Sequence, residues 1–353
     1  MSKPAKNGQP SPGRSKLAGL GLQLPPLPTT TVGSLPKQPD LLELRYKVAK
    51  GVQNKQELER KERLSTEIWI REQERTGLDI LVDGEMHRSD LVNFFATSIG
   101  GFAPGGIVRS YGNRYYRKPI IKSKLEWKGP ITVEMWRFAQ RLTHRPVKAI
   151  LTGPYTIMDW SFDEHYPSRE AALADLTAII RREVVALAEA GAKLIQIDEP
   201  ALSSKPKEFP LIQSSLKEIT AGLRCYFILH HCYGDVTPLW EKMQQLPVDN
   251  FHLEMTNSAF SLLPLMKKLP TTKDLCVGII ESHSHLIDTP REVHQRINSV
   301  IDFVAPGQLW FSPDCGLKTR TTEETIGKLR VLVAAVGKTR ATLQGKKTSR
   351  ISK

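Results

Sequence analysis

Short apolar or β-branched runs alternate with longer helical stretches along almost the whole chain, and this repeat constrains the fold more than any single motif. The runs are 29–34 (TTTVGS), 78–85 (LDILVDGE), 147–154 (VKAILTGP), 192–200 (AKLIQIDEP), 223–232 (LRCYFILHHC), 249–254 (DNFHLE), 275–283 (LCVGIIESH) and 309–315 (LWFSPDC). Stretches of helical periodicity lie between them, such as 57–77 and 168–191. The second opens on Ser168, a good N-cap, and closes on Gly191, a good C′ residue. Strand–helix alternation implies a parallel sheet with crossover helices. Eight repeats predict an α/β fold closed as a single (β/α)8 TIM barrel rather than an open sheet. The helical stretch 131–143 and the long segment 97–130 predict an elaborated second βα unit.

At 353 residues the chain can bury one large core. No apolar run approaches the ~18–20 residues that span a bilayer, so a cytoplasmic protein without a membrane partner is expected. The net charge of +13 raises the question of nucleic acid, but its location argues against it. Lys3, Lys6, Arg14 and Lys16 lie in 1–22, and Lys338, Arg340, Lys346, Lys347, Arg350 and Lys353 lie in 338–353; neither segment holds an acid. The expected organisation is therefore a basic disordered tail over 1–22, a catalytic barrel over 23–337 and a basic tail over 338–353. Solvated ends account for such tails without a specific nucleic-acid partner. Of the four cysteines, Cys225 and Cys276 lie inside apolar runs and read as reduced core residues, whereas Cys232 and Cys315 stand where runs end.

A barrel gathers its active site where the strands end. Here the ends offer Gly33-Ser34, Asp83, Glu85, Gly153, Asp198-Glu199, His230 to Cys232, Glu254, His283 and Asp314-Cys315. Polar strand ends alone mean little, since every strand must emerge into water; two cysteines, histidines and carboxylates on one face are harder to dismiss. Side chains alternate along a strand, so His230 and Cys232 share a face and His231 points away, as a packed or hydrogen-bonded histidine. Glu254 ends the next strand, and Cys315 ends the eighth. His252 shares the face of Glu254 but lies about 7 Å deeper, at roughly 3.3 Å per residue, and reads as core. His230, Cys232, Glu254 and Cys315 together make a nitrogen, two-sulfur and oxygen set suited to Zn2+. Such an ion, with one exchangeable carboxylate, suits the binding of a substrate thiol that then attacks an alkyl group.

At these residues the sequence resembles the cobalamin-independent methionine synthase family, specifically its catalytic C-terminal barrel. The resemblance covers roughly 28–337 through TVGSLP, DGE, TGP followed by MDWSF, IDEPAL, HHCYGD, HLE, HSH and PDCGLKTR, which are highly specific as a set. It implies a zinc-dependent methyltransferase acting on the thiol of L-homocysteine to form methionine. The family's zinc ligands map onto His230, Cys232, Glu254 and Cys315. Its homocysteine contacts map onto Val32, Gly33, Ser34, Glu85 and Asp198, and its proton donor onto His283 rather than His285. Trp160 corresponds to a pterin-stacking tryptophan and Arg114 to a folate-contacting position. In physical terms, Glu85 and Asp198 suit an α-ammonium, the Gly33-Ser34 turn suits a carboxylate, and His283 suits protonation of a leaving nitrogen.

The sequence also departs from the long form of the family. It is about half as long, has Ser203-Ser204 after IDEPAL where the long form has an Arg-Glu pair, and has Tyr115 beside Arg114. Its length matches short, single-barrel members, some of which take methyl from corrinoids. A methyl-corrinoid donor such as methylcobalamin, free or on a corrinoid protein partner, is therefore expected ahead of 5-methyltetrahydrofolate. Alkyl transfer to another thiol, such as coenzyme M, is an alternative on the same zinc barrel, although that thiol has no ammonium for Glu85 and Asp198. A non-catalytic nucleic-acid-associated protein would leave the converging ligands without a purpose.

Overall fold

The computed structural model of the chain describes residues 11–109 and 115–351. Six parallel-type runs form one sheet in the order Leu309–Pro313, Asp274–Ile280, Asn250–Leu253, Tyr226–His231, Leu194–Asp198, Ala149–Thr152. Its strands are buried along their whole length. The two remaining runs complete the series through backbone bonds rather than full ladders. Thr29 bridges Phe311, the amides of Asp79 and Ile80 donate to Thr29 O, and Leu81 bridges Val147. All eight runs are therefore linked in one hydrogen-bonded series, and the fold is of the (β/α)8 TIM-barrel class.

The first two runs are shorter than the sequence suggests, and local chemistry explains both. Pro25, Pro26 and Pro28 remove backbone donors ahead of Thr29. In the second run, the side-chain amide of Gln73 takes both backbone groups of Val82, donating to its carbonyl (2.8 Å) and accepting its N–H (2.9 Å). The Val82 N–H is then unavailable to a neighbouring strand, and its carbonyl is already engaged. Gln73 belongs to the helix Lys55–Thr76, whose buried residues Glu62, Ser65, Thr66, Trp69, Ile70, Gln73 and Thr76 recur at helical spacing.

The described chain divides into two compact units. The first comprises Met1–His87, Phe138–Val147 and His252–Lys353; it holds the first two runs and the parallel pair Asp274–Ile280 and Leu309–Pro313. The second comprises Arg88–Arg137 and Lys148–Phe251; it holds the parallel ladders joining 149–152, 194–198 and 226–231. In the second unit the helix Arg169–Glu189 is capped by Ser168, whose side chain accepts the Ala171 N–H. The elaboration after the second run is a three-stranded sheet of Ile99–Ala103, Ile120–Trp127 and Phe162–Asp163, with a separate ribbon of Ile107–Arg109 and Tyr115–Arg117.

Both expected tails need correction. Residues Pro12–Gly19 are a helix capped by Ser11, whose Oγ donates to Asp274 (2.6 Å), and Leu17 is buried. At the other end the helix Thr322–Ile351 runs on through 338 without a break. Two of the basic residues in these segments, Arg14 and Arg340, are employed rather than solvated. Arg14 donates to Leu24 O and Pro25 O, while Arg340 donates to Pro26 O and Leu27 O and pairs with Asp79. The proline-rich entry segment has carbonyls with no ladder partner, and guanidinium groups from both ends of the chain satisfy them. Residues 1–10 and 352–353 lie outside the described residues. Among the described residues, no helix is long and apolar enough to cross a membrane.

Candidate active site

In the second unit, His230 and Cys232 close the strand Tyr226–His231, and both are buried. His231 between them is held by different neighbours. Its Nδ1 lies 3.0 Å from Glu199 O and its Nε2 3.3 Å from Ser203 Oγ. Burial pushes the His231 imidazole down to about 4, so the ring is neutral at pH 7. Two histidines adjacent in sequence thus meet different environments because a strand sends successive side chains to opposite faces.

Asp198 ends the neighbouring strand, is buried, and accepts the Gln196 side-chain amide at 2.7 Å. Glu199 beside it has structural partners, accepting the Tyr155 N–H, the Thr156 N–H and the Thr156 hydroxyl. Burial raises its carboxyl to about 7 despite these donors. The segment it anchors is the short helix Pro154–Asp159, which delivers Trp160 at its C-terminal end. The Trp160 ring lies 5.7 Å from Tyr116, tilted by 41°. Tyr116 comes from the ribbon strand Tyr115–Arg117, and no sequence motif marks it as a neighbour of Trp160. Arg114, immediately before that strand, lies outside the described residues.

The remaining residues of the predicted set lie in the first unit. Val32 and Gly33 are buried and Ser34 is half-buried. Backbone bonds tie this turn to two loops at once: the Leu35 N–H donates to Gly84 O (3.1 Å), and the Leu317 N–H to Ser34 O (2.8 Å). Glu85 has φ 58°, a left-handed conformation unusual for a residue with a side chain, and its N–H donates to Asp83 Oδ1 at 2.9 Å. Such strain persists only where surrounding contacts enforce it.

Glu254 follows the strand Asn250–Leu253 and is half-buried, with its Oε1 accepting Asn257 Nδ2 at 2.8 Å. Cys315 follows Leu309–Pro313; its N–H donates to Ser282 Oγ (2.9 Å), which in turn donates to Cys315 O (3.0 Å). His252 bonds Ser312 Oγ through Nε2 at 2.6 Å, the core role expected of it. His283 is half-buried in a loop whose two ends, Glu281 O and Leu286 O, both accept from the buried Lys328 ammonium. His285 is exposed and pairs with Glu324.

Among the described residues, His230, Cys232 and Cys315 offer ligand atoms that all lie within 4.8 Å of one another. One imidazole nitrogen and two thiols at that separation fit a tetrahedral thiophilic ion such as zinc, whose Zn–S and Zn–N distances are about 2.3 and 2.0 Å. Glu254 is not in that close group. Sequence reasoning also missed Asp314 and Lys328. Asp314 is visible in PDC but reads there as a strand-end acid; Lys328 sits inside a helical stretch, where nothing marks it as buried. Burial pushes the Asp314 carboxyl up to about 7.

A sequence profile for the catalytic domain of cobalamin-independent synthases matches residues 27–338. A methionine synthase of Pyrococcus furiosus is 36% identical over 92% of this chain and 96% of its own length. A 5-methyltetrahydropteroyltriglutamate–homocysteine methyltransferase of Mesorhizobium japonicum is 36% identical over 91% of this chain, which matches 43% of that longer protein. A solved B12-independent methionine synthase from Shewanella sp. W3-18-1, in complex with selenomethionine, superposes with a TM-score of 0.79 at 27% identity, covering 90% of this chain and 99% of its own. The methyl-corrinoid donor favoured by the sequence is at odds with a profile described as cobalamin-independent. One of the features that prompted it, Ser203-Ser204, has local partners: Ser203 contacts His231, and Ser204 donates to Ala201 O.

Proposed function

Because the chain belongs to the cobalamin-independent methionine synthase family and is a homocysteine methyltransferase, we propose that it uses a zinc ion and takes its methyl group from a 5-methyltetrahydropteroyl donor. The observation that carries the metal reading is the close approach of the His230, Cys232 and Cys315 donor atoms. Glu254, half-buried at the end of the neighbouring strand, is the fourth ligand and the exchangeable one. Bound there, zinc would lower the pKa of the acceptor thiol and keep its sulfur nucleophilic at neutral pH.

The protein's own residues bind and orient the rest. The Glu85 and Asp198 carboxylates take the α-ammonium of homocysteine, and the Gly33-Ser34 turn with the Ser34 hydroxyl takes its carboxylate. These contacts make the acceptor an amino acid as well as a thiol, which disfavours a thiol lacking both groups. Trp160, with Tyr116 against it, offers a flat aromatic surface for the pterin ring. His283 delivers a proton to the nitrogen that leaves as the methyl group departs. The donor assignment draws on the family's cobalamin independence and on the substrate named for the Mesorhizobium relative.

Metal analysis of the purified chain, with turnover of homocysteine measured against 5-methyltetrahydrofolate forms and against methylcobalamin, tests the reading. About one zinc per chain and turnover with the folate donor are expected. Turnover with methylcobalamin alone would overturn the donor, and full activity in zinc-free protein would overturn the metal.

A further inference from the structure

The loop that follows Glu254 is folded around one side chain from another strand end. Asp314 is buried, and its Oδ1 accepts the backbone N–H groups of Met255 (3.1 Å) and Thr256 (3.0 Å), while its Oδ2 accepts that of Asn257 (3.1 Å). Three consecutive amides converging on one carboxylate fix the backbone immediately after Glu254. Asp314 is itself peptide-bonded to Cys315, whose N–H and C=O are both held by Ser282 Oγ. A single side chain therefore joins the backbone beside one proposed ligand to the backbone beside another.

The surroundings are shaped for this contact. A Cβ at Gly278 would stand 2.3 Å from Asp314 Oδ1 and 2.7 Å from its Cα, so only glycine leaves room for the carboxylate. Thr256 Oγ1 donates to Gly278 O (3.1 Å), binding the loop to the intervening strand as well. A buried carboxylate is an expensive way to satisfy loop amides that water or a hydroxyl could satisfy near a strand end. The expense has a return where two segments must be held in one fixed relation.

Resting on the zinc reading above, we propose that Asp314 is a positioning residue that sets Glu254 relative to Cys315 before the metal binds. It touches neither metal nor substrate and acts through the loop 255–257. Partners behind metal ligands typically change metal affinity by about 10–100-fold when lost.

The experiment compares zinc affinity, by chelator competition, in wild type, Asp314→Asn, Glu254→Gln and the double variant, with circular dichroism to check folding. Asp314→Asn should weaken zinc about tenfold or more in the wild-type background, and much less when Glu254 is already Gln. Unchanged affinity, or an equal loss in both backgrounds, would overturn the proposal. Cobalt(II) substitution adds a readout independent of activity, since Asp314→Asn should alter the ligand-field bands while the thiolate charge-transfer bands persist. Hydrogen exchange on the metal-free wild type needs no variant, and decides the matter if Asp314→Asn does not fold. The amides of Met255, Thr256 and Asn257 should be protected before zinc is added; free exchange there would sink the idea. A wild type that takes up no zinc defeats the zinc reading itself, whereas zinc binding equal in wild type and Asp314→Asn defeats only this inference.

Discussion

Replacing Gly316 with alanine should impair homocysteine binding while leaving the fold nearly intact. A Cβ at this position would stand 2.0 Å from Ser34 Oγ, far inside van der Waals contact, but 3.3 Å from Ser34 Cβ and 3.4 Å from Ser34 O. The severe clash is therefore with one atom at the end of a rotatable bond. Turning χ1 of Ser34 to another staggered well relieves it, and the backbone need yield only a few tenths of an ångström. The stability cost should be about 1 kcal/mol or less, a shift of at most a few degrees in Tm for a chain of this size. The functional cost is larger, because the displaced hydroxyl is the one proposed to meet the substrate carboxylate. Losing a hydrogen bond to a charged group costs about 1.5–3 kcal/mol, or roughly ten- to a hundredfold in affinity.

The assay is the KM for homocysteine in Gly316→Ala, Ser34→Ala and the double variant. If the alanine acts only by displacing Ser34 Oγ, the double variant should match Ser34→Ala, giving a strongly non-additive cycle. Independent, additive losses would refute the mechanism. So would a Gly316→Ala protein with unchanged KM.

Further outcomes follow from the same geometry. Cys232→Ser and Cys315→Ser should each lose most of their zinc by metal analysis, whereas Cys225→Ser and Cys276→Ser should retain it, because Cys276 lies within the core strand Asp274–Ile280 and Cys225 just ahead of Tyr226–His231, outside the close donor group. Glu85→Gln and Asp198→Asn should keep zinc but raise the KM for homocysteine roughly ten- to a hundredfold, as measured by initial rates. Lys328→Met removes the donor to both ends of the His283 loop, so kcat should fall about tenfold or more while zinc content and the KM for homocysteine stay near wild type.

Much of the fold is legible because it depends on repetition. Eight apolar runs separated by helical stretches carry enough redundancy that the shortness of the first two does not change the topology. What the sequence conceals are substitutions of one kind of hydrogen bond for another. Gln73 reads as a polar residue in a helix, yet its amide replaces a ladder at Val82. Arg14 and Arg340 read as charge in two tails, yet they serve as donors to carbonyls in a proline-rich segment. In each case a long polar side chain supplies backbone bonding at a distance in sequence, and composition carries no sign of it.

The candidate site divides along the same line. Residues whose role depends on strand position are readable from alternation and from where a run stops: His230 and Cys232 on one face, His231 on the other, Cys315 at the end of the eighth run. Residues whose role is to hold a loop are not, because their partners are backbone amides and carbonyls, which every position possesses. Asp314, Glu199 and Lys328 all belong to this second group, with three, two and two backbone partners respectively. The first two immediately precede or follow a proposed site residue, Cys315 and Asp198. That placement gives the barrel a physical means of keeping its strand-end loops in order: a buried acid at the strand end gathers the amides of another loop, and the adjacent side chain remains available for chemistry.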